Sequence, residues 1–224
     1  MSGPEERLTV STPSGDVSAA YLRPAKVWAS IVIAHGAGAG MDHPFLAGFA
    51  RAIADEGVGA LRVNFPYMEA GRRSPDRPPV AVAALVAAFG MAKERAKPRE
   101  PIWMGGKSFG GRMASVAVAE GLLAAGLVFL GYPLHPPGKP DRVRDEHLYA
   151  IEVPMLFIEG TSDPFATPAV LKPVLKRLGK RATLHPIEGG GHSFEVRGAK
   201  RDARETGASL APVAAAFMSA HAGH

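Results

Sequence analysis

Cysteine is absent from this chain of 224 residues. Its absence excludes disulfides, thiolate metal sites and a cysteine nucleophile together. The chain also lacks an apolar run of transmembrane length, and residues 1–7 contain no apolar core of a signal peptide. We therefore expect a cytoplasmic protein that does not engage a membrane.

Metal-binding spacings and concentrated charge are missing as well. The eight histidines form neither His-x-x-x-His nor His-Glu-x-x-His, so we predict no metal site and no cofactor. The net charge of +5 is spread along the chain, which favours solvated surfaces over a nucleic-acid partner. A composition of 46% hydrophobic and 21% charged residues is ordinary for a globular protein, and the length predicts one domain over 1–224.

Apolar runs alternate with helical patterns along the whole chain. The run at 30–34 is continuous and rich in β-branched residues, which is typical of strands covered on both faces in a parallel sheet. Strands are predicted at 8–10, 17–22, 30–34, 59–65, from 102, 127–130, 153–158 and 183–187, and helices at 44–55, 80–95, 113–120, 168–178 and around 210–217. The alternation predicts a mostly parallel sheet with helices on both faces.

The pentapeptide Gly106-Lys107-Ser108-Phe109-Gly110 lies between the strand that begins at Ile102 and a predicted helix. A strand, a sharp turn and a helix with Gly-x-Ser-x-Gly at the turn form the nucleophile-elbow arrangement. A serine held in a strained backbone conformation needs neighbours without Cβ, because strand and helix must approach closely. The pattern predicts that the Ser108 hydroxyl is accessible to a substrate carbonyl. The alternative interpretation is a glycine-rich turn in which Ser108 is only a helix N-cap.

Two nucleotide-binding motifs are excluded by single residues. Gly106-Lys107-Ser108 resembles the end of a P-loop, but that motif needs a glycine where this chain has Pro101. Gly36 and Gly38 could begin a Rossmann fingerprint, but its third glycine is replaced by Met41.

Asp163 and His192 complete a candidate catalytic triad with Ser108. Each residue follows the carboxyl end of a predicted strand, where open α/β sheets carry their sites. The chain order Ser, Asp, His is the one that the α/β-hydrolase fold uses. His192 would accept the serine proton and return it to the leaving group, and Asp163 would hold the imidazole tautomer. Taken singly, His192 is an ordinary loop histidine and Asp163 a turn aspartate. The prediction of a triad therefore depends on all three residues occurring in this order after strands.

The backbone N–H groups of Ala37 and Phe109 are the candidate oxyanion donors. Phe109 follows the candidate nucleophile, and Ala37 lies in the glycine-rich loop after the strand at 30–34. His35 precedes the same loop, and this place favours an orienting role for it over that of a catalytic base.

Five segments between residues 30 and 195 match a known family pattern. They are His35-Gly36-Ala37-Gly38, Asn64-Phe65-Pro66-Tyr67 with Arg72-Arg73, Gly105-Gly106-Lys107-Ser108-Phe109-Gly110-Gly111-Arg112, Gly131-Tyr132-Pro133-Leu134-His135-Pro136-Pro137-Gly138-Lys139-Pro140, and Gly160-Thr161-Ser162-Asp163-Pro164-Phe165. On these residues the chain resembles the α/β-hydrolase-like proteins grouped with testis-expressed protein and the NSL-complex subunit, distant relatives of dienelactone hydrolases. The resemblance implies an α/β-hydrolase fold and a triad of Ser108, Asp163 and His192. Dienelactone hydrolases proper use cysteine where this chain has Ser108.

The chain leaves little room for a lid over the site. Only residues 131–152 are available after the strand at 127–130, so we predict an α/β-hydrolase fold with a minimal lid or none, and a small or exposed acyl substrate. Candidate substrate contacts are Gly36, Tyr67 and Arg72. The loop at 67–77 is expected to border the pocket, where Arg72 and its neighbour Arg73 would favour an acidic substrate.

These observations predict a serine hydrolase, a carboxylesterase or thioesterase-like enzyme that acts on a small-molecule acyl substrate without metal or cofactor. An amide substrate stays open, because the triad is compatible with oxygen, sulfur and nitrogen leaving groups. A non-catalytic interaction module on the same fold is the alternative from another class. The complete triad argues against it, because a scaffold needs neither Ser108 nor His192.

Overall fold

The computed structural model describes residues 3–199 and 201–222. Within these ranges the strands are β1 Glu6–Thr12, β2 Gly15–Leu22, β3 Ala29–Ala34, β4 Val58–Val63, β5 Ile102–Lys107, β6 Leu127–Leu130, β7 Met155–Gly160 and β8 Ala182–Ile187. The α-helices are α1 Pro44–Asp55, α2 Pro66–Glu69, α3 Pro78–Arg95, α4 Phe109–Ala119, α5 Pro168–Leu178, α6 Ala203–Ser209 and α7 Ala211–Ala220. Short 3-10 segments are formed by Glu146–Ala150 and Gly179–Arg181.

The strands form one sheet in the order β1-β2-β4-β3-β5-β6-β7-β8. β1 and β2 make an antiparallel hairpin, and β2 also pairs antiparallel with β4. The pairs from β4 through β3, β5, β6 and β7 to β8 are all parallel. The predicted mostly parallel sheet is therefore confirmed, and the carboxyl ends of its parallel strands meet at one edge.

The two faces of the sheet pack into separate apolar clusters. Along β3, Ile31 and Ile33 belong to one cluster, whereas Val32 and Ala34 belong to the other, as the alternation of side chains in a strand requires. Helices α1 and α7 cover the first face, and α3, α4 and α5 cover the second. Helices on both faces, and hence the predicted α/β-hydrolase architecture, are confirmed.

Two helices lie outside the predicted pattern. The four-residue helix α2 falls within a segment predicted to be a polar loop, since it is too short to show a periodicity. Helix α6 precedes the predicted C-terminal helix α7. Asp202 caps α6 by accepting a 2.7 Å hydrogen bond from the Glu205 N–H. Pro212 then marks the first turn of α7, where a missing N–H is tolerated.

No large cap covers the carboxyl edge of the sheet. The connection at 131–154, all of it described, contains only the 3-10 segment Glu146–Ala150, so the prediction of a minimal lid is confirmed. Among the described residues no helix combines the length and apolar character needed to cross a membrane. The prediction of one domain over 1–224 includes residues outside the described ranges and stays a prediction.

Candidate active site

Ser108 occupies a sharp turn between β5 and α4. Its backbone angles are φ 50° and ψ −113°, which L-residues rarely adopt, and its carbonyl accepts the 3.0 Å hydrogen bond from the Arg112 N–H that begins the helix. Its side chain caps no backbone N–H of α4. The hydroxyl is therefore not used as a helix cap, which removes the alternative interpretation of the motif.

The glycines around Ser108 allow the backbones of β3, β5 and α4 to touch. A Cβ on Gly106 would lie 2.4 Å from the Ala34 carbonyl oxygen, and a Cβ on Gly110 would lie 2.4 Å from the same atom. A Cβ on Gly111 would lie 2.7 Å from the Gly106 oxygen. Any side chain here would push the helix away from the sheet, so the close approach expected from the motif is observed.

A continuous hydrogen-bonded chain joins the three candidate triad residues. His192 Nε2 lies 2.8 Å from Ser108 Oγ, and His192 Nδ1 lies 2.7 Å from Asp163 Oδ2. The other carboxylate oxygen of Asp163 accepts a 2.7 Å hydrogen bond from the Phe165 N–H. Asp163 is buried, so its carboxylate is fixed on Nδ1–H and leaves Nε2 free to accept from the serine hydroxyl.

The loop that carries His192 is held by Lys107, the residue before Ser108. The Lys107 ammonium donates a 2.7 Å hydrogen bond to the main-chain oxygen of His192. Burial lowers the pKa of Lys107 to about 8, although the charge of Asp163 opposes the shift. The ring of Phe165 packs on the His192 ring with centroids 4.6 Å apart, which restricts its rotation.

A second carboxyl group lies close to Asp163. Glu159, at the carboxyl end of β7, is buried, and its Oε1 accepts a 2.5 Å hydrogen bond from the Tyr132 N–H. Burial raises the pKa of Glu159 well above its usual range, and the charge of Asp163 acts in the same direction. Its Oε2 has no partner among the described residues. Burial therefore favours the protonated form of Glu159 at this position next to the triad.

The two candidate oxyanion donors lie beside Ser108. Ala37 and Phe109 both line the cavity that contains the serine, as does Gly36. Neither the Ala37 N–H nor the Phe109 N–H takes part in a hydrogen bond among the residues that the structure describes. Both groups are therefore available to a substrate oxygen, and the predicted contact at Gly36 is also part of the cavity wall.

His35 lies where it can hold the loop after β3 in position, as the sequence predicts. Its Nδ1 lies 2.8 Å from the Gly36 carbonyl oxygen, and its Nε2 accepts a 3.1 Å hydrogen bond from the Phe65 N–H. This pattern requires the proton on Nδ1. Burial lowers the pKa of His35, so the ring is neutral and links the loop after β3 to the loop after β4.

Two predicted substrate contacts, Tyr67 and Arg72, lie outside the cavity wall in the structure. Tyr67 is buried and absent from the cavity wall, and its hydroxyl oxygen instead accepts a 2.9 Å hydrogen bond from the Gly38 N–H. Arg72 also lies outside the wall, with a side chain 53% exposed and paired to Asp76 at 2.6 Å. The Tyr67 ring points inward because Tyr67 is held in α2. Its backbone N–H donates a 2.8 Å hydrogen bond to the Asp76 carboxylate. Arg73 does not line the cavity either.

The cavity above Ser108 has a volume of about 980 Å³. One wall comes from α1, and the other comes from the proline-rich connection after β6. The loop at 67–77 contributes as predicted, although through Pro75 and Asp76 rather than its arginines. The lining also includes Phe45, Leu46, Pro133, His135, Pro136 and Pro137. The walls are thus largely apolar, and Ser108 and His192 are part of the same lining.

The sequence patterns do not identify three basic residues of this site. Lys107, Arg112 and Arg144 all line the cavity. The first two lie inside or next to the Gly-x-Ser-x-Gly segment, so a helical projection from Ser108 would have found Arg112 one turn away. Arg144 lies in an irregular connection without periodicity, and no sequence signal marks its position.

Comparison with known proteins agrees with this architecture. A family model described as an alpha/beta hydrolase domain matches residues 28–221. A lid-less α/β serine hydrolase from Xanthomonas campestris superimposes with a TM-score of 0.74 at 20% identity, covering 96% of this chain and 94% of the other. A dienelactone hydrolase from Anabaena variabilis gives 0.74 at 20% identity, covering 97% of each chain. The esterase domain of a Rhodothermus marinus protein gives 0.75 at 14% identity, covering 99% of this chain and 100% of the other.

At these identities the superpositions establish a shared fold. The family match covers β3 to α7 and includes the loop after β3, the strained serine and the acid and histidine loops. The chain therefore belongs to the alpha/beta hydrolase domain family.

Proposed function

We propose that this protein is a serine hydrolase, a carboxylesterase or thioesterase-like enzyme that acts on a small or exposed acyl substrate. Ser108 is the nucleophile, His192 the general base and acid, and Asp163 the residue that orients the imidazole. The observation that carries this proposal is the continuous hydrogen-bonded chain Asp163–His192–Ser108, at 2.7 and 2.8 Å, which ends on a strained serine in a cavity.

Acylation begins when Ser108 Oγ attacks the carbonyl carbon of the substrate. The serine proton passes to His192 Nε2, and the resulting imidazolium is stabilised by the Asp163 carboxylate on Nδ1. The carbonyl oxygen becomes an oxyanion, which the N–H groups of Ala37 and Phe109 bind. Loss of one such donor would cost about 3 kcal/mol of transition-state stabilisation. The tetrahedral intermediate collapses to an acyl-serine as His192 Nε2–H protonates the departing alcohol or thiol.

Deacylation repeats these steps with water. His192 Nε2 accepts a proton from the water that attacks the acyl-serine, and the oxyanion returns to the same two N–H groups. Collapse releases the carboxylic acid, while the imidazolium proton returns to Ser108 Oγ. The open carboxyl edge of the sheet gives water direct access, so a lid movement is not needed for this step.

Motif and neighbour similarities support the same proposal at a finer level. The proline-rich connection after β6 carries the resemblance to proteins grouped with testis-expressed protein and the NSL-complex subunit, and we propose membership of that subgroup. Neighbours described as a dienelactone hydrolase and as an esterase domain support an ester substrate. The missing large cap supports a small or exposed acyl group.

Labelling with a fluorophosphonate probe tests the proposal. We expect the purified protein to form an adduct at Ser108, mapped by mass spectrometry, and the Ser108→Ala variant to remain unlabelled. A panel of 4-nitrophenyl esters, thioesters and anilides would then rank the leaving groups. Well-folded protein that neither reacts with the probe nor hydrolyses any member of the panel would contradict the proposal and favour the interaction module.

A further inference from the structure

Two arginines from separate parts of the chain line the cavity that contains Ser108. Arg112 lies on α4, four residues after the serine, which is one helical turn or about 6 Å along the axis. Arg144 comes from the connection between β6 and β7. Both residues therefore border the space that a substrate bound at Ser108 would occupy.

Neither guanidinium has a partner within the part of the chain that the structure describes. The Nε atom of Arg112 is buried without a hydrogen bond, and neither arginine forms an ion pair with a described residue. Other arginines behave differently. The buried Arg62 pairs with Glu5 and Asp42, and Arg23 pairs with Glu100.

The carboxylates close to these arginines are already engaged. Asp76 lines the same cavity, but it is bound by Arg72 and by the Tyr67 N–H. Asp145, the neighbour of Arg144 in the chain, accepts a hydrogen bond from the Tyr149 hydroxyl. Within the described ranges, neither of these two carboxylates pairs with Arg112 or Arg144.

The two arginines are also close enough to repel each other. Burial lowers the pKa of Arg144, and the positive charge of Arg112 lowers it further. Arg112 is partly buried, with its Nε unpartnered, whereas Arg144 is exposed at the cavity rim. An anion bound between or beside them would offset the repulsion of the two cations and pair the buried Nε of Arg112. A guanidinium binds carboxylate or phosphate in a two-point geometry, and such charge-assisted hydrogen bonds are among the strongest in proteins.

We propose that Arg112 and Arg144 form an anion subsite, which binds a carboxylate or phosphate substituent of the ester at a distance from the reacting carbonyl. The inference rests on the proposed hydrolase function and deepens it, since it assigns anionic esters as the substrate class. The subsite replaces the predicted role of Arg72 and Arg73, which lie outside the cavity wall.

A matched pair of esters tests this subsite during turnover. The mono-4-nitrophenyl ester of adipic acid carries a terminal carboxylate, whereas 4-nitrophenyl hexanoate has the same acyl carbon count and no charge. We expect the wild type to show a kcat/KM at least about tenfold higher for the adipate ester. Arg112→Gln and Arg144→Gln should each reduce this ratio by about tenfold, and Arg112→Lys by less, because it keeps the charge.

The test uses the ratio of the two kcat/KM values, because a general folding defect lowers the rates for the charged and the neutral ester together. Arg73→Gln is the matched control, since it removes an arginine outside the cavity wall and should leave the ratio unchanged. Equal rates for the two esters in the wild type would overturn the subsite while leaving the hydrolase function intact. Absence of turnover and of probe labelling would instead overturn the hydrolase function.

Binding to the inactive Ser108→Ala variant tests the subsite without turnover. Calorimetric titration with adipate and with hexyl phosphate should show binding by at least one of them, and the tighter ligand identifies the anion. Adding Arg112→Gln should weaken that binding by about tenfold or more. If neither ligand binds, or if the double variant binds equally well, the subsite is wrong.

Discussion

The ammonium of Lys107 and the main-chain oxygen of His192 lie 2.7 Å apart, so the residue before the candidate nucleophile holds the loop of the candidate base. We expect Lys107→Met to lower kcat by about 10–100-fold with little change in KM, because an unrestrained His192 loop misplaces Nε2. Steady-state kinetics on a neutral ester would measure both constants. Lys93→Met, on the exposed side of α3, is the control. A kcat equal to that of the wild type would show that the loop needs no tether.

The hydroxyl of Tyr67 binds the Gly38 N–H in the loop that carries Ala37. Tyr67→Phe removes that acceptor, and we expect kcat to fall about fivefold, as the loss of about 1 kcal/mol from one hydrogen bond would produce. Tyr21→Phe is the control, because its buried hydroxyl bonds to Ser30 and Arg23 outside the cavity wall. If both variants have equal kcat, the Tyr67 hydroxyl has no influence on the loop that carries Ala37.

Stability at acid pH should depend on His147, whose Nε2 hydrogen-bonds with Ser115 and Tyr132. Burial lowers the pKa of His147 to about 4, with a smaller contribution from the charge of Arg112. An unfolded chain binds that proton near pH 6.5. The stabilisation is therefore fully present above pH 6.5 and is lost as the pH falls towards 4.

Urea unfolding at pH 7 and pH 5 would measure this dependence. The wild type should exceed His147→Gln in free energy of unfolding at pH 7, and the difference should shrink at pH 5. A difference that is the same at both pH values would mean that His147 titrates alike in the folded and unfolded chains.

Two helical glycines should respond in opposite directions to alanine. Gly110→Ala sets a Cβ 2.4 Å from the Ala34 oxygen, and we expect it to destabilise the fold by about 1–3 kcal/mol. Gly90, in α3, has no atom within 4 Å of such a Cβ. Gly90→Ala should stabilise the fold by up to about 1 kcal/mol, because alanine is the better helix former. Thermal unfolding would compare them, and a shift of the same sign for both would refute this packing argument.

The sequence predicts the sheet and the triad for one physical reason. Parallel strands appear in the sequence as continuous apolar runs, and the loops after them meet at one edge of the sheet. The sequence alone therefore predicts that Ser108, Asp163 and His192 lie close together. The order of strands cannot be read in this way, because it depends on pairings between distant segments. The same limit applies to α2, which is too short to show a period.

Substrate contacts were harder to predict than the triad. The position of Arg72 in a loop at the pocket border predicts a substrate contact, but in the structure its guanidinium forms an ion pair with the nearby Asp76. Arg144 reaches the cavity through an irregular connection whose course depends on long-range contacts, such as the 2.7 Å hydrogen bond from its N–H to the Leu134 oxygen. Local patterns therefore identify the reacting groups, whereas the residues that would select a substrate depend on tertiary structure.

The backbone conformation of Ser108 also determines which residue at position 108 would give the most stable fold. A non-glycine residue at φ 50° and ψ −113° costs roughly 1–3 kcal/mol of folding free energy, whereas glycine would adopt these angles with less strain. Mutation under selection for stability alone would therefore drift towards glycine at this position. The strained backbone at position 108 is therefore a cost in folding stability that the proposed role of the serine hydroxyl would explain and that stability alone would not.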